Sequence, residues 1–259
     1  EAVELIRGEK GTRVKLTLLH EGESETFEVE IERDEIVVPS VAVEFGQIID
    51  DNFSKEASGS GDLIAHLVLN RFGELTDEQW DKAIDEIVNQ QDKVSGVVLD
   101  LRNNPGGLVT GAVNLAAEFL PRGKVVVKQE ERGKPEMIFS TERFGRLINI
   151  PLVVLVNKGS ASASEILGEA LRENNRAKIV GTTSFGKGTM QSAFDIPDGS
   201  GAGLHITIAR WLTPKGNWVH KKGVEPDVLV ELDNERPTVD TQLVKAAEMI
   251  TDGSWKMVD

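Results

Sequence analysis

The strongest constraint on how this 259-residue chain can fold is a unit met three times: an apolar strand-like run that feeds directly into a glycine-bearing loop. Residues 94–101 lead into Asn103-Asn104-Pro105-Gly106-Gly107. Residues 152–156 lead into Asn157-Lys158-Gly159-Ser160-Ala161-Ser162-Ala163-Ser164-Glu165. Residues 177–180 lead into Thr183-Ser184-Phe185-Gly186-Lys187-Gly188-Thr189-Met190-Gln191. The first run scarcely alternates, which predicts a strand buried on both faces. Helical patterns fall between such runs, at residues 77–90, 109–120, 165–173 and 239–250. In the first of these Trp80, Ile84, Ile87 and Val88 share one face, and Thr76 is placed to cap it. Further strands are expected at 63–69, 124–129 and 136–140, and antiparallel strands across 190–212. Strands that alternate with helices predict an α/β core.

The N-terminal segment has a different pattern. Val3, Leu5 and Ile6 followed by Gly8 suit the end of a helix. Residues 13–18 and 26–31 alternate about a turn at Glu21-Gly22, as in a hairpin with one buried face. A helix end and one hairpin cannot build a core, so they are expected to pack on the rest or to be the remnant of a small domain. The helical opening without an initiator Met reads as a piece of a longer chain. Residues 36–43 form a connector broken by Pro39, and 54–61 a flexible loop.

Composition removes several function classes. A net charge of −14 argues against a nucleic-acid partner, because phosphates are bound by concentrated Lys and Arg. The absence of cysteine excludes thiol catalysis, disulfides and Cys-ligated metal sites. The four histidines are scattered, so neither a metal nor another cofactor is expected. No apolar run approaches the roughly 18 residues of a membrane span.

Chemistry is concentrated in the glycine-bearing loops. Small residues at 159–164 leave room for a substrate backbone, and a serine just before a helix places its oxygen at the positive end of the helix dipole. Ser162-x-x-Glu165 equally matches a capping box, in which Ser162 is only a helix cap. A serine nucleophile needs a base within hydrogen-bond reach. Lys187 stands between two glycines, where loss of hydration would let its amine accept a proton; the alternative is an ordinary surface ammonium. Gln191, four residues on, could hold that amine. Gly181 to Lys187 also fits G-x-x-x-x-G-K, but Gly188 stands where a P-loop needs Ser or Thr, and an extended segment follows instead of a helix. Pro105-Gly106-Gly107 exposes backbone N–H groups, so the amides of Gly107 and Ala163 could form a two-donor oxyanion hole; the alternative is a plain turn. Asp100 and Arg102 read as a structural ion pair.

Taken together, Asp100-Leu101-Arg102-Asn103-Asn104-Pro105-Gly106-Gly107, the Gly159 to Glu165 block and Phe185-Gly186-Lys187-Gly188-Thr189-Met190-Gln191 resemble, in order and interval, the signature blocks of the C-terminal processing peptidases, or tail-specific proteases. The likeness runs from about Ile36 to Asp233 and closes with Gly223-Val224-Glu225-Pro226-Asp227. It implies a serine endopeptidase with Ser162 as nucleophile, Lys187 as general base, Gln191 as its orienting partner, and Gly107 and Ala163 as oxyanion donors. It also implies a ClpP/crotonase-like superhelical core over 36–235, with a small strand-rich insertion near 122–148 and a helical tail at 236–259. Residues 1–35 are similar to the end of a PDZ domain whose carboxylate-binding loop has no counterpart here. The resemblance further implies polypeptide substrates cut near apolar C-terminal tails and an extracytoplasmic setting, such as a bacterial periplasm, a cell envelope or the medium; it leaves room for a homodimer or a regulatory partner. Two competing functions are a crotonase-type acyl-thioester enzyme, whose oxyanion hole is also two backbone amides, and a latent peptide-binding module.

Overall fold

The computed structural model describes residues 2–20, 22–35, 38–55, 63–196, 203–233 and 235–257. The expected loop at 54–61 lies mostly outside the described residues, as do Glu21 of the first turn and residues 36–37 of the connector. The chain divides into two compact units, Glu1–Val38 and Pro39–Asp259.

In the first unit a short helix, α1 (Ala2–Ile6), precedes the hairpin of β1 (Arg13–Leu19) and β2 (Thr26–Glu32). The strands pair antiparallel from Arg13↔Glu32 to Leu19↔Thr26. Arg33 fastens these pieces together. Its guanidinium donates to the Ile6 carbonyl at 2.8 Å, the Arg13 carbonyl at 3.0 Å and Thr12 Oγ1 at 2.9 Å. With so few apolar groups to bury, a multidentate arginine supplies connectivity that packing cannot.

The second unit contains β3 (Val41–Ile49), β4 (Asn52–Ser54), β5 (Leu63–Leu69), α2 (Thr76–Asn89), β6 (Val94–Asp100), α3 (Val109–Ala116), β7 (Val125–Glu130), β8 (Met137–Ser140), β9 (Leu152–Val156), α4 (Ala163–Glu173), β10 (Lys178–Gly181), β11 (Thr189–Asp195), β12 (Gly203–Leu212), β13 (Val228–Leu229) and α5 (Thr241–Thr251). A seven-stranded sheet runs β13-β10-β9-β6-β5-β3-β4, parallel from β13 to β5 and antiparallel at β3 and β4. A second, antiparallel sheet runs β11-β12-β7-β8, so the strand-rich segment near 122–148 shares a sheet with residues 189–212.

The central strands lack alternation because both of their faces are covered. On one face Leu67, Leu99 and Val154 pack with Trp80 and Ile84 of α2, Leu115 of α3 and Ile166 of α4. On the other, Ile64, Val98, Val153 and Leu155 pack with Leu243, Ala246 and Ile250 of α5. Each such fully buried aliphatic side chain contributes about 1.5–3 kcal/mol of transfer free energy. The C-terminal helix thus forms the second layer over the sheet.

Three of the helix boundaries that differ from expectation do so for a readable local reason. Thr76 is the first residue of α2, not its cap. Its hydroxyl accepts from the Gly73 N–H at 2.8 Å and donates to the Arg71 carbonyl at 3.0 Å, holding the preceding turn instead. Helix α3 ends at Ala116 because the chain then tightens to three-residue bonds, Glu118 N–H to Leu115 O and Phe119 N–H to Ala116 O, both 3.1 Å. Helix α5 starts at Thr241 because Asp240 takes the cap, accepting from the Leu243 N–H at 3.0 Å.

Candidate active site

All three glycine-bearing loops lie at the C-terminal ends of the parallel strands β6, β9 and β10, where α/β folds gather their sites. The second loop holds three serines that the sequence cannot distinguish by type, and the fold separates them. Ser160 is buried; its hydroxyl donates to the Leu101 carbonyl at 2.8 Å and accepts from the Asn157 N–H at 3.0 Å. Ser164 is buried and donates to the Asn104 carbonyl at 2.9 Å. Ser162 alone of the three is partly exposed.

Ser162 also has φ 57° and ψ −114°, a conformation that L residues adopt at a cost of about 1–3 kcal/mol. Such strain persists only where neighbours over-determine it. Here the neighbour is Glu165. The capping-box pairing is in place, and its well-formed arm is the Ser162 N–H donating to Glu165 Oε2 at 2.8 Å. The same oxygen accepts from the Lys187 N–H at 2.8 Å. Glu165 Oε1 accepts from Ser184 Oγ at 2.5 Å and the Gly186 N–H at 2.6 Å. One buried carboxylate therefore joins the serine loop to the lysine loop.

The lysine loop is fixed from the other side by two indoles. Trp211 Nε1 donates to the Lys187 carbonyl and Trp218 Nε1 to the Gly188 carbonyl, each at 2.8 Å. The Phe185 N–H donates to the Ser160 carbonyl at 3.0 Å. Lys187 itself is partly buried. Gln191 follows on β11, next to a register shift between Met190 and Gln191, with its side chain exposed. A strand, not a helix, follows Lys187, which agrees with the failure of the P-loop pattern.

The first loop lies against the serine turn. A methyl group at Gly106 would meet the Ala161 carbonyl at 2.6 Å and both the Ala163 nitrogen and Ser162 Cβ at 2.9 Å. Gly107 has φ 144° and forms a single parallel bridge with Phe72. That bridge uses the Phe72 N–H to Gly106 O and the Leu108 N–H to Phe72 O, so by the geometry of a parallel ladder the Gly107 N–H faces away from Phe72. A side chain at Gly107 would lie 2.0 Å from the Phe72 carbonyl, which excludes any residue but glycine. The Gly107 loop and the Ala163 turn are thus in contact, with Ser162 between them in the chain order of the turn.

Behind the first loop lies a charged cluster that was only half visible in sequence. Asp100 Oδ2 is 2.9 Å from His66 Nε2 and 2.6 Å from Arg102 Nη2. Arg102 also reaches Asp240 at the cap of α5, at 2.7 and 2.8 Å, and Gln242 at 3.1 Å. Burial opposes ionisation of Asp100 most strongly, but hydrogen bonds from His66 and Arg102, with the guanidinium charge, outweigh it and hold the carboxyl at about 2. Burial likewise opposes the charge on Arg102, and its two carboxylate partners raise its pKa regardless. The cluster ties the start of the glycine loop to the C-terminal helix. Among the described residues no three His, Asp or Glu side chains are grouped to hold a metal, and no helix is long and apolar enough to cross a membrane.

Comparison with known proteins shows the family. Residues 63–230 match the model of peptidase family S41. The chain is 39% identical over 232 residues to the carboxy-terminal processing protease CtpA of Bacillus subtilis, covering 90% of this chain and 46% of that protein. It is 37% identical over 231 residues to the carboxyl-terminal-processing protease of Synechocystis, covering 89% of this chain and 50% of that protein. It therefore spans about half the length of the curated relatives it matches. Among solved structures, the photosystem II D1 C-terminal processing protease superposes with a TM-score of 0.67 at 32% identity, over 94% of this chain and 61% of that one. The family match, the identity to these relatives and the mixed α/β fold agree, and the chain belongs to peptidase family S41.

Proposed function

We propose that this chain carries the catalytic core of a serine endopeptidase that hydrolyses polypeptides through an acyl-enzyme. The observation that carries the reading is the Glu165 clamp, which fixes a strained, partly exposed Ser162 and the backbone of Lys187 to the same carboxylate. Ser162 Oγ attacks the scissile carbonyl while its proton passes to the Lys187 amine. The tetrahedral oxyanion is held by the N–H groups of Gly107 and Ala163. Collapse expels the amine product, which takes the proton back from Lys187, and water then releases the acyl group by the reverse sequence. Gln191 orients the amine from β11.

In the same reading residues 1–35 are the end of a PDZ domain, 36–235 a ClpP/crotonase-like superhelical core and 236–259 its helical tail. Substrates are proteins cut near apolar C-terminal tails and the setting is extracytoplasmic, with room for a homodimer or a regulatory partner. The family match disfavours the acyl-thioester and latent-module alternatives. The test is peptide cleavage and fluorophosphonate labelling of Ser162→Ala and Lys187→Met. Both variants are expected to lose turnover by at least ~10³-fold, as removal of a nucleophile or its base does. Peptide cleavage that survives in Ser162→Ala overturns the proposal, and turnover indifferent to Lys187 revives the thioester reading.

A further inference from the structure

Helix α4 begins at the serine turn and ends on Glu173, where helix physics disfavours a carboxylate. The C-terminal end of a helix carries partial negative charge and favours cations, by about 0.3–1 kcal/mol. The neighbouring cation, Arg172, is engaged with Glu169 and with the Glu225 carbonyl at 2.5 Å. Glu173 instead accepts from three uncharged donors of a single turn. Thr213 Oγ1 at 2.9 Å and Asn217 Nδ2 at 2.8 Å donate to Oε1, and the Lys215 N–H donates to Oε2 at 2.6 Å. The turn also closes on itself, Thr213 N–H to Asn217 O and Gly216 N–H to Thr213 O, both 2.9 Å. Bonds to a charged acceptor contribute about 1.5–3 kcal/mol each, which outweighs the unfavourable dipole and fixes the turn to the end of α4.

The turn leads directly into Trp218, and Trp218 reaches the lysine loop. Its Nε1 donates to the Gly188 carbonyl at 2.8 Å, whereas the Trp211 N–H lies farther from the same oxygen, at 3.3 Å. Trp218 is 40% exposed, so burial alone does not set its indole. A stack holds it: the His220 ring lies 4.9 Å away at 18°, and the Arg210 guanidinium sits 5.3 Å over the indole while pairing with Glu130. The packing against Gly188 is close. A methyl group there would meet Trp218 Nε1 at 2.7 Å and the His220 nitrogen at 2.8 Å. A shift of the 213–220 segment is therefore passed to the residue after Lys187 and not absorbed in a gap. Glu165 and Glu173 are about 12 Å apart along the helix. Helix α4 thus holds the lysine loop twice, directly at its start and through the turn at its end.

We infer that Glu173 is a positioning residue for Lys187, acting through the 213–217 turn and the Trp218 indole. The inference rests on the peptidase reading above. Glu173 and Trp218 have no part in the chemistry; they set where the lysine backbone lies relative to Ser162, which the other end of the same helix carries. One rigid element then fixes both members of the pair. A slip of the turn changes their separation while leaving each loop's own hydrogen bonds in place.

The test measures kcat, KM and urea unfolding for Glu173→Gln, Glu173→Ala, Trp218→Phe and the double variant Glu173→Gln/Trp218→Phe, at a temperature where each is folded. Glutamine keeps the shape of the side chain but turns an NH₂ group toward either the Lys215 N–H or the Thr213 and Asn217 donors. Phenylalanine keeps the stack and removes only the N–H to Gly188. Glu173→Gln and Trp218→Phe are each expected to lower kcat ~10-fold with KM within about twofold, the mark of an interaction that acts in the transition state. That loss corresponds to a displacement of about half an ångström, on the scale where 1 Å costs ~10²-fold. Glu173→Ala is expected to fall below Glu173→Gln; should it fail to fold, the Gln and Phe variants still decide. The double variant is expected to lose ~10-fold and not the ~100-fold product, because residues on one path are not additive. Parental kcat in folded Glu173→Gln and Trp218→Phe, with only the urea midpoint lowered, overturns the inference and leaves a structural bond. A raised KM at parental kcat overturns it in favour of substrate contact, and a multiplicative loss in the double variant overturns the shared path. Cleavage that survives in Ser162→Ala overturns the peptidase reading itself, an outcome that none of the Glu173 and Trp218 variants can imitate.

Discussion

Substitution of Glu165 by Gln changes one atom in the clamp and has a calculable consequence. Each carboxylate oxygen accepts two donors, Ser184 Oγ and the Gly186 N–H at Oε1, the Ser162 and Lys187 N–H groups at Oε2. An amide can keep only one of these pairs. The favoured orientation keeps its oxygen on Ser162 and Lys187, because the Ser184 hydroxyl can turn to accept while a backbone N–H cannot. The Gly186 N–H is then left buried against an NH₂ group, which costs about 1–3 kcal/mol. Two remaining bonds lose their charge assistance, at about 1 kcal/mol each. The sum is about 3–5 kcal/mol, a large part of the stability of an ordinary domain. Alanine would orphan all four donors, so Gln is the more informative variant. Urea unfolding of the Ser162→Ala background with and without Glu165→Gln measures the stability term free of self-digestion. Peptide cleavage by Glu165→Gln alone measures the positioning term, expected to fall ~10²-fold because a displacement of about 1 Å is worth that much. A Gln variant within about 0.5 kcal/mol of its parent and fully active would refute the clamp.

Two further outcomes follow from the same geometry. Ser162→Gly is expected to be inactive yet about 1 kcal/mol more stable than Ser162→Ala, because glycine adopts φ 57° without strain; equal unfolding midpoints would argue that the backbone there is relaxed. Asp100 is held below its ordinary value, so its contribution is present above about pH 4 and is lost as pH falls toward 2. It amounts to about 2 kcal/mol, and an acid-unfolding limb between pH 4 and 2 that is flatter in Asp100→Asn than in the parent is the expected signature.

These predictions draw on features of unequal legibility in the sequence. The three loops could be read because their chemistry is local: a small-residue turn, a Gly-Gly pair and a lysine between glycines each appear as contiguous letters. The α/β order followed from runs whose burial on both faces shows as lost alternation, as in Val97-Val98-Leu99. Pattern was less informative on β12. Leu204, Ile206 and Ile208 alternate with polar residues, as a strand with one buried face should, yet the strand is exposed through Ile208. Alternation records that two faces differ but not what, if anything, covers the apolar one. Element ends failed where a side chain had two possible uses, as when the Thr76 hydroxyl served the turn before α2 rather than its cap.

The least legible part of the site is what holds it together, and the reason is topological. Glu165 was visible as one half of a capping box, a contact three residues long. Its other donors, Ser184, Gly186 and Lys187, arrive only when β10 is laid beside β9 and brings the third loop over the start of α4. Likewise the Asp100–Arg102 pair is two residues apart, but Asp240 comes from a helix that packs on the opposite face of the sheet. Groups that act on substrate by their backbone amides depend on loop shape, and loop shape is encoded nearby. Groups that set one loop against another depend on strand order, which no short stretch encodes. A carboxylate at Ser162 plus three therefore has two structural duties at once, ending one helix and joining two loops. Removing it should cost more than a helix cap alone is worth, about 0.5–2 kcal/mol, and that excess separates a clamp from a cap.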